Sequence, residues 1–296
     1  MRTERANAKI NLYLDIVSRR ENGYHDLYTL MQTVSLCDLV SVDFRPEAHT
    51  AIHLQASGND QMPLDCRNLA WRATELFLQT ADRRGVVNIT IEKHIPMAAG
   101  LAGGSTDAAA VLRALNHLCG SPLSLDRLCE IGARLGADVP FCIVGGCAVA
   151  EGIGEKLTPQ KGLPKCSLVV ACMGEGVSTP QAYGALDDLF EGFVQSRSTK
   201  NGEALAELLS SQASLDTLGN KFYNVFECVV PPIRPCVDQV KALMSEHGAI
   251  RAMMSGSGPS VFGVFENVEN AIGACEKMKQ MGAAAFVCHP TDAYTI

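Results

Sequence analysis

The stretch "PMAAGLAGGSTDAAAVLRALN", Pro96 to Asn116, constrains the fold more than any other part of the chain. Before it, "VVNITIEKHIP" alternates, with Val87, Ile89 and Ile91 on one face, and Pro96 ends the run. Gly100, Gly103 and Gly104 then give G-x-x-G-G-S, where absent side chains let a backbone come close to a ligand. Ser105-Thr106-Asp107 supplies N-cap chemistry, and Ala108, Val111, Leu112, Leu115 and Leu118 repeat at helical spacing. A strand therefore feeds a glycine loop that opens a helix. The first N–H groups of such a helix have no internal partner and lie at the positive end of its dipole, which suits an anion such as a nucleotide phosphate. The stretch is not G-x-x-x-x-G-K-[ST], so it is not a Walker loop, and G-x-G-x-x-G does not fit it either. Read on its own, it is also compatible with a glycine-rich strand–helix turn that holds nothing.

The rest of the composition narrows what the anion belongs to. The 296 residues carry a net charge of −7, with 47% hydrophobic and 19% charged residues, a globular balance. An acidic chain of this kind repels nucleic acid and anionic membrane surfaces, so neither is expected as a partner. No run approaches the ~20 apolar residues of a membrane span. The opening "MRTERANAKINLYLD" lacks the apolar run of a secretory signal, and a cytoplasmic protein is expected. None of the twelve cysteines is spaced C-x-x-C; they read as buried thiols of a reducing compartment, not as disulfide or zinc ligands.

In "AKINLYLDI", Ala8, Ile10, Leu12, Leu14 and Ile16 share one face, and Lys9, Asn11, Tyr13 and Asp15 the other, as in a half-buried strand. Asn22-Gly23 marks a tight turn, and "LYTLMQTVSL" returns as a second strand. "NLAWRATELFLQTA" is predicted helical, with Leu69, Ala73, Leu76 and Phe77 on one stripe; a helix capped by Ser124 follows, and then a turn, a short buried segment and a strand through "ADVPFCIVGGCAVAEGIGEKL". The Pro and Gly of "TPQKGLPK" place a boundary near 158–165, giving domains 1–160 and 161–296. Beyond it come a strand in "CSLVVAC", a helix in "TPQAYGALDDLF" and a polar surface connection over 187–202. Helices around 203–212 and 232–247, strands at 250–254 and 261–265, a helix at 267–281 and a strand at 285–289 complete the chain. The class is α+β, and its second half is of ferredoxin-like type. On these residues alone, Asp138 in "GADVP" could simply be a cap or turn residue, and Lys9 a solvated strand lysine. Tyr24-His25 could flank a turn, and Tyr183 could be a packed helix residue.

"PMAAGLAGGSTDAAAVL" resembles the ATP-phosphate motif of the GHMP kinases, "NAKINLYL" their N-terminal motif and "MMSGSGPSVFGVF" their C-terminal glycine motif. "AKINLYLDIVSRRENGYHDLYTLMQTVSL", "NLAWRA" and "LGADVPFCIVGGCAVAEGIGEKL" are similar to one branch, the 4-diphosphocytidyl-2-C-methyl-D-erythritol kinases of the non-mevalonate isoprenoid pathway. The departures are Ala99 and Ala102, where some members have glycine. The resemblance implies a two-domain fold, with a first domain like domain 2 of ribosomal protein S5, a ferredoxin-like second domain and an active site in the cleft between them. It implies ATP with Mg²⁺, phosphorylation of a tertiary 2-hydroxyl, and a monomer or weak homodimer. It makes Asp138 the catalytic carboxylate and Lys9 the cation beside it. It gives Pro96, Met97, Ala98, Ala99, Gly100, Leu101, Ala102, Gly103, Gly104, Ser105 and Thr106 to ATP, with Asn68 near the adenine and Ser105 near Mg²⁺. It gives Asn11 to the substrate polyol or phosphate, His25 to the pyrimidine edge, and Tyr24 and Tyr183 to its two faces. Ser255, Gly256, Ser257 and Gly258 form a turn closing on the phosphate loop and substrate.

Overall fold

The Asn22-Gly23 turn is where the sequence places it. Gly23 takes a φ of +84°, its N–H donates to the Arg20 carbonyl at 3.0 Å, and the Arg20 N–H donates to Tyr24 at 2.7 Å. The computed structural model describes residues 1–59, 61–191 and 198–295. The two strands joined by this turn are far longer than their alternating cores: β1 spans Arg2–Arg19 and β2 spans His25–Pro46. β2 accepts β4 (Gly85–Glu92) along its C-terminal half and β5 (Cys147–Gly152) along its N-terminal half. β3 (Ala51–Ser57) and β6 (Lys156–Gln160), neither evident in the sequence, extend the two edges. With β8 (Tyr223–Asn224), which pairs with β1 in parallel, they make a seven-stranded sheet.

Helices α1 (Leu69–Thr80), α2 (Gly103–Leu118), α3 (Leu125–Ala133) and α4 (Val139–Val144) cover one face of this sheet. α1 buries Ala70, Ala73, Thr74, Phe77 and Leu78, so the buried stripe is turned slightly from the expected one and Leu69 and Leu76 lie at its margin. α3 is capped as expected, Ser124 accepting from the Arg127 N–H. α2 begins at Gly103, two residues before the anticipated cap. Ala102 occupies the N-cap in a left-handed conformation with no side-chain cap. Thr106, inside the helix, instead donates to the Asn7 carbonyl at 2.8 Å.

The second sheet has the order β11 (Ala284–Cys288), β7 (Ser167–Cys172), β10 (Val261–Phe265), β9 (Arg251–Met254), antiparallel throughout. This is the ferredoxin-like order expected for the second half. α9 (Cys236–Glu246) and α10 (Val268–Gln280) pack on it, with α5 (Thr179–Leu189), α6 (Lys200–Ser210), α7 (Leu215–Gly219) and α8 (Val230–Ile233) around the junction. The expected polar connection over 187–202 includes 192–197, which lie outside the described residues. All twelve cysteines are unbridged, but Cys66 and Cys228 are exposed, not buried. β1 is not half-buried: residues 6–16 are buried on both faces, because one core lies against the α1–α4 side and another joins β1 to the second sheet.

One buried ionic cluster ties sheet to helix. Lys93, just past β4, pairs with Asp38 of β2 and donates to Asp107 of α2 at 2.7 Å, and all three are buried. Asp38 also accepts the His94 and Ile95 N–H groups at 2.6 and 2.8 Å. One ammonium cannot neutralise two carboxylates. Burial raises the pKa of Asp107, Lys93 opposes the rise and Asp38 adds to it, so Asp107 holds its proton at pH values where a free carboxyl has lost it. A raised carboxyl pKa stabilises the fold most at low pH, and that stability is lost as pH rises from about 4, the free-carboxyl value, through the folded value near 8. Unfolding free energy from urea titrations should therefore decline over that range, and Asp107→Asn should flatten the decline. Identical slopes for the two proteins would show that Asp107 is ionised throughout.

Candidate active site

The site is assembled on β1. Its register against β2 slips between Asn11 and Tyr13, so Leu12 is an extra residue. A bulge of this kind exchanges the faces of the residues beyond it. Lys9, Asn11 and Leu14 therefore line a central cavity of about 440 Å³, while Tyr13 turns into the core beside Tyr28 and Tyr223. The simple alternation that grouped Tyr13 with Lys9 fails for this reason.

Lys9 is 6% exposed; its Nζ donates to Asn11 Oδ1 at 2.8 Å and lies 3.7 Å from Asp138 Oδ2. Asn11 is held in turn by donating to Thr29 Oγ1 at 2.8 Å, and Thr29 donates to the Tyr13 carbonyl at 2.7 Å. Asp138 occupies the N-cap of α4, yet its side chain caps nothing there. Its carboxylate, 38% exposed, faces Lys9 and the cavity instead. Asp138 is thus at a cap position by its backbone, while its side chain serves the cavity.

Across the cavity stands the N-terminus of α2. Gly103, Gly104 and Ser105 line the same space as Lys9 and Asp138. The loop before the helix is locked by the second glycine turn. Ser255 Oγ donates to the Gly100 carbonyl at 3.1 Å, and the Ser260 N–H donates to the Ala99 carbonyl at 3.3 Å. A Cβ on Gly100 would sit 2.1 Å from the Ser255 carbonyl, and Gly100 has a φ of +77°. Gly256 and Ser257 reach the cavity. The Leu101 side chain is core, and its carbonyl accepts the Lys9 N–H at 3.2 Å, so the loop and β1 are directly joined.

Two further cavities open from the centre. One, of about 200 Å³, lies beside the loop and is lined by Asn68, Lys93, Pro96, Met97, Ala98, Gly103 and Asp107. Asn68 caps α1, accepting from the Ala70 N–H and donating to the Pro63 carbonyl, so its amide is rigidly placed in that wall. The other, of about 700 Å³, is lined by Tyr24, His25, Gly136, Ala137, Thr179, Tyr183 and Asp187. Tyr24 is 60% exposed at its rim. His25 and Tyr183 stack on one another with centroids 4.9 Å apart, and Phe226 meets Tyr183 edge-on at 5.0 Å. His25 Nε2 is 2.7 Å from Asp187 Oδ1. Burial, and secondarily the Asp138 charge, push the Tyr183 phenol above its ordinary pKa, so it stays neutral.

Of the residues expected at the site, all but Leu101, Thr106, Ser255 and Gly258 line one of these spaces; those four lie in the loop, in the helix behind it and in the turn that packs on it. Sequence reasoning missed Asp38, Lys93, Thr29 and Asp187. A lone Asp inside the apolar run "SLCDLV" and a Lys at the end of the alternating "ITIEK" are the traces that Asp38 and Lys93 left.

Residues 68–146 match the family model of the GHMP kinases N terminal domain, and residues 189–284 that of the GHMP kinases C terminal. A 4-diphosphocytidyl-2-C-methyl-D-erythritol kinase of Caldicellulosiruptor saccharolyticus is 40% identical over 275 residues, covering 93% of this chain and 92% of the relative. The enzyme of that name from Alkaliphilus metalliredigens is 41% identical, covering 93% and 91%. A crystal structure of 4-(cytidine 5'-diphospho)-2C-methyl-D-erythritol kinase superposes with a TM-score of 0.80 at 35% identity, covering 98% of this chain and 99% of that one. The chain belongs to the 4-diphosphocytidyl-2-C-methyl-D-erythritol kinase family. Homoserine kinase of Cytophaga hutchinsonii shares the fold, with a TM-score of 0.71 at 18% identity. The two-domain GHMP fold expected from the sequence is thus observed, and family membership makes the chain a kinase that uses ATP.

For a kinase of this family the interlocked glycine turns have a direct consequence. Gly100→Ala places a side chain in a left-handed conformation and against a backbone oxygen, a strain of about 1–3 kcal/mol. The turns must part, and KM for ATP is expected to rise about tenfold, the factor that 1.4 kcal/mol commands. An unchanged KM for ATP would show that the loop holds its shape without the Ser255 turn.

Proposed function

We propose that the chain transfers the γ-phosphoryl group of ATP to the 2-hydroxyl of 4-diphosphocytidyl-2-C-methyl-D-erythritol, giving the 2-phosphate and ADP, a step of the non-mevalonate route to isoprenoid precursors. The observation that carries this reading is the Lys9–Asp138 pair, 3.7 Å apart, facing the N-terminus of α2 across one cavity. In support of the substrate, the adjoining cavity is large and walled by aromatic rings, a shape that suits a pyrimidine base. A small hydroxy acid or short polyol would leave it unfilled.

Each residue then has a task. The N–H groups of Gly103, Gly104 and Ser105 and the dipole of α2 hold the ATP phosphates; Pro96, Met97, Ala98, Asn68 and Lys93 border the base. The rest of the loop, from Ala99 to Ala102, and Thr106 shape the cradle through their backbones and the bond to Asn7. Asn11 meets the substrate polyol or phosphate beside Lys9. Tyr24 and Tyr183 offer ring faces to cytosine and His25 its edge. Ser255, Gly256, Ser257 and Gly258 close the cleft over the phosphates. Asp138 accepts the hydrogen of the attacked hydroxyl, and the Lys9 ammonium orients that carboxylate and stabilises the alkoxide charge as it develops. Phosphoryl transfer asks mainly for such positioning and charge neutralisation.

Magnesium, when bound, supplies charge neutralisation at the phosphates. Among the described residues no group of three His, Cys, Asp or Glu is placed to hold a metal. The residues suit an ion carried mainly by ATP, with the Ser105 hydroxyl beside it. We also propose the division into 1–160 and 161–296, supported by β6 closing the first sheet at Gln160 and β7 opening the second at Ser167.

Asp138→Ala is the direct test of the carboxylate. kcat should fall by at least about 10²-fold, the scale of one general base, while the Kd for ATP stays within twofold because no atom of Asp138 belongs to the loop. Wild-type kcat in this variant would remove Asp138 from the chemistry.

A further inference from the structure

The C-terminal segment leaves β11 and crosses back over the first sheet. Its His289 carbonyl accepts the Ser35 N–H at 2.8 Å, Thr291 N–H donates to Thr33 at 2.9 Å, and Pro290 and Ala293 bridge Val34 and Gly145. It ends, within the described residues, on Tyr294 and Thr295. Tyr294 touches all three elements that carry the active site. Its hydroxyl accepts the Asn7 N–H at 3.1 Å and donates to the Arg5 carbonyl at 3.2 Å, both in β1, two and four residues before Lys9. Its own N–H donates to the Val144 carbonyl at 2.9 Å, at the end of the six-residue helix α4 that starts after Asp138.

Arg113, in α2, stacks its guanidinium over the Tyr294 ring at 3.7 Å and is 4% exposed. It donates to the Cys142 carbonyl of α4 at 2.7 Å and to the Arg5 carbonyl of β1 at 3.0 Å. Asn7 closes the ring: its N–H is on Tyr294, its side-chain amide donates to Thr291 at 3.3 Å, and its carbonyl accepts from Thr106 of α2. The fit leaves no slack. A Cβ on Gly145 would lie 2.7 Å from the Tyr294 ring, and one on Gly146 2.9 Å from the Ala293 backbone nitrogen.

β1 supplies Lys9, α4 presents Asp138, and α2 carries the phosphate loop. No hydrogen bond joins Lys9 to Asp138 at 3.7 Å, so their spacing is set by the elements behind them. We infer that Tyr294 and Arg113 are positioning residues that clamp β1, α2 and α4 from behind and so set the Lys9–Asp138 spacing. This inference rests on the reading of Lys9 and Asp138 as the catalytic pair. Displacements of about 1 Å made far from the reacting atoms can cost on the order of 10²-fold in rate, whereas Asn68 and Met97 beside the loop, and Tyr24, His25 and Tyr183 of the aromatic cavity, lie outside the clamped elements.

Tyr294→Phe in the full chain removes the two hydroxyl bonds and keeps the ring under Arg113. kcat is expected to fall about fivefold or more, with KM for both substrates within twofold of wild type and the melting temperature within a few degrees. Arg113→Lys, which loses the fork to Cys142 and Arg5, should show the same split. Asp138→Asn, measured alongside, separates the two readings. If Asp138→Asn is inactive while Tyr294→Phe and Arg113→Lys keep wild-type kcat, the clamp is refuted and the catalytic assignment stands. If Asp138→Asn is fully active, the catalytic assignment itself falls. A loss of kcat in Tyr294→Phe that comes with equal rises in both KM values, or with a large drop in melting temperature, refutes positioning in favour of general stability.

Discussion

A buried ammonium governs this structure. Lys9 is almost wholly removed from water, and a charge so placed is tolerated only with partners of opposite sign or strong dipole. Asn11 gives it a close oxygen, and Asp138 gives it a charge at a distance that leaves the carboxylate able to take another hydrogen bond. Much else follows from meeting that demand. β1 must bulge at Leu12 to keep Asn11 and Leu14 on the cavity side, and α4 must begin at Asp138 without using its side chain as a cap.

The same economy holds for the phosphate loop. It has no lysine of its own, because the cation arrives from β1, whose backbone N–H at Lys9 is bonded to the loop at Leu101. With Ala102 at the N-cap and no side-chain cap there, the first turn of α2 is left open toward the cavity. The loop is kept in shape from the second domain, through Ser255 and Ser260, so the two halves of the chain meet at the glycine loop. Ala99 and Ala102 line the cavity without closing it. Ala99 packs into the core, and Ala102 adopts the left-handed conformation at the helix start.

Much of this was legible beforehand because it is local. The Asn22-Gly23 turn, the Ser124 cap and the individual strands of the second sheet follow from short-range chemistry and alternation. What the sequence concealed depends on pairing between distant segments. The Leu12 bulge cannot be seen in β1 alone, because it exists only relative to β2. The start of α2 at Gly103 defeats cap statistics, since Thr106 and Asp107 are spent on Asn7 and Lys93. β3 and β6 are edge strands whose side chains are exposed or half-buried apart from Leu54, and no apolar pattern announces them. At the site, Lys9, Asp138 and the glycine loop were named from motifs. Thr29 and Asp187, which hold Asn11 and His25, were not, because a supporting side chain has no motif.

The central claim is that one cleft joins a phosphate cradle, a Lys–Asp pair and an aromatic cavity built for a cytidyl group. The most direct measurement is ADP release by the purified protein with Mg-ATP and, in turn, 4-diphosphocytidyl-2-C-methyl-D-erythritol, homoserine and mevalonate. The account predicts a kcat/KM for the cytidyl substrate at least about 10³-fold above the other two, since only it fills the aromatic cavity. Background ADP release with the cytidyl substrate, together with turnover of homoserine or mevalonate, would contradict it.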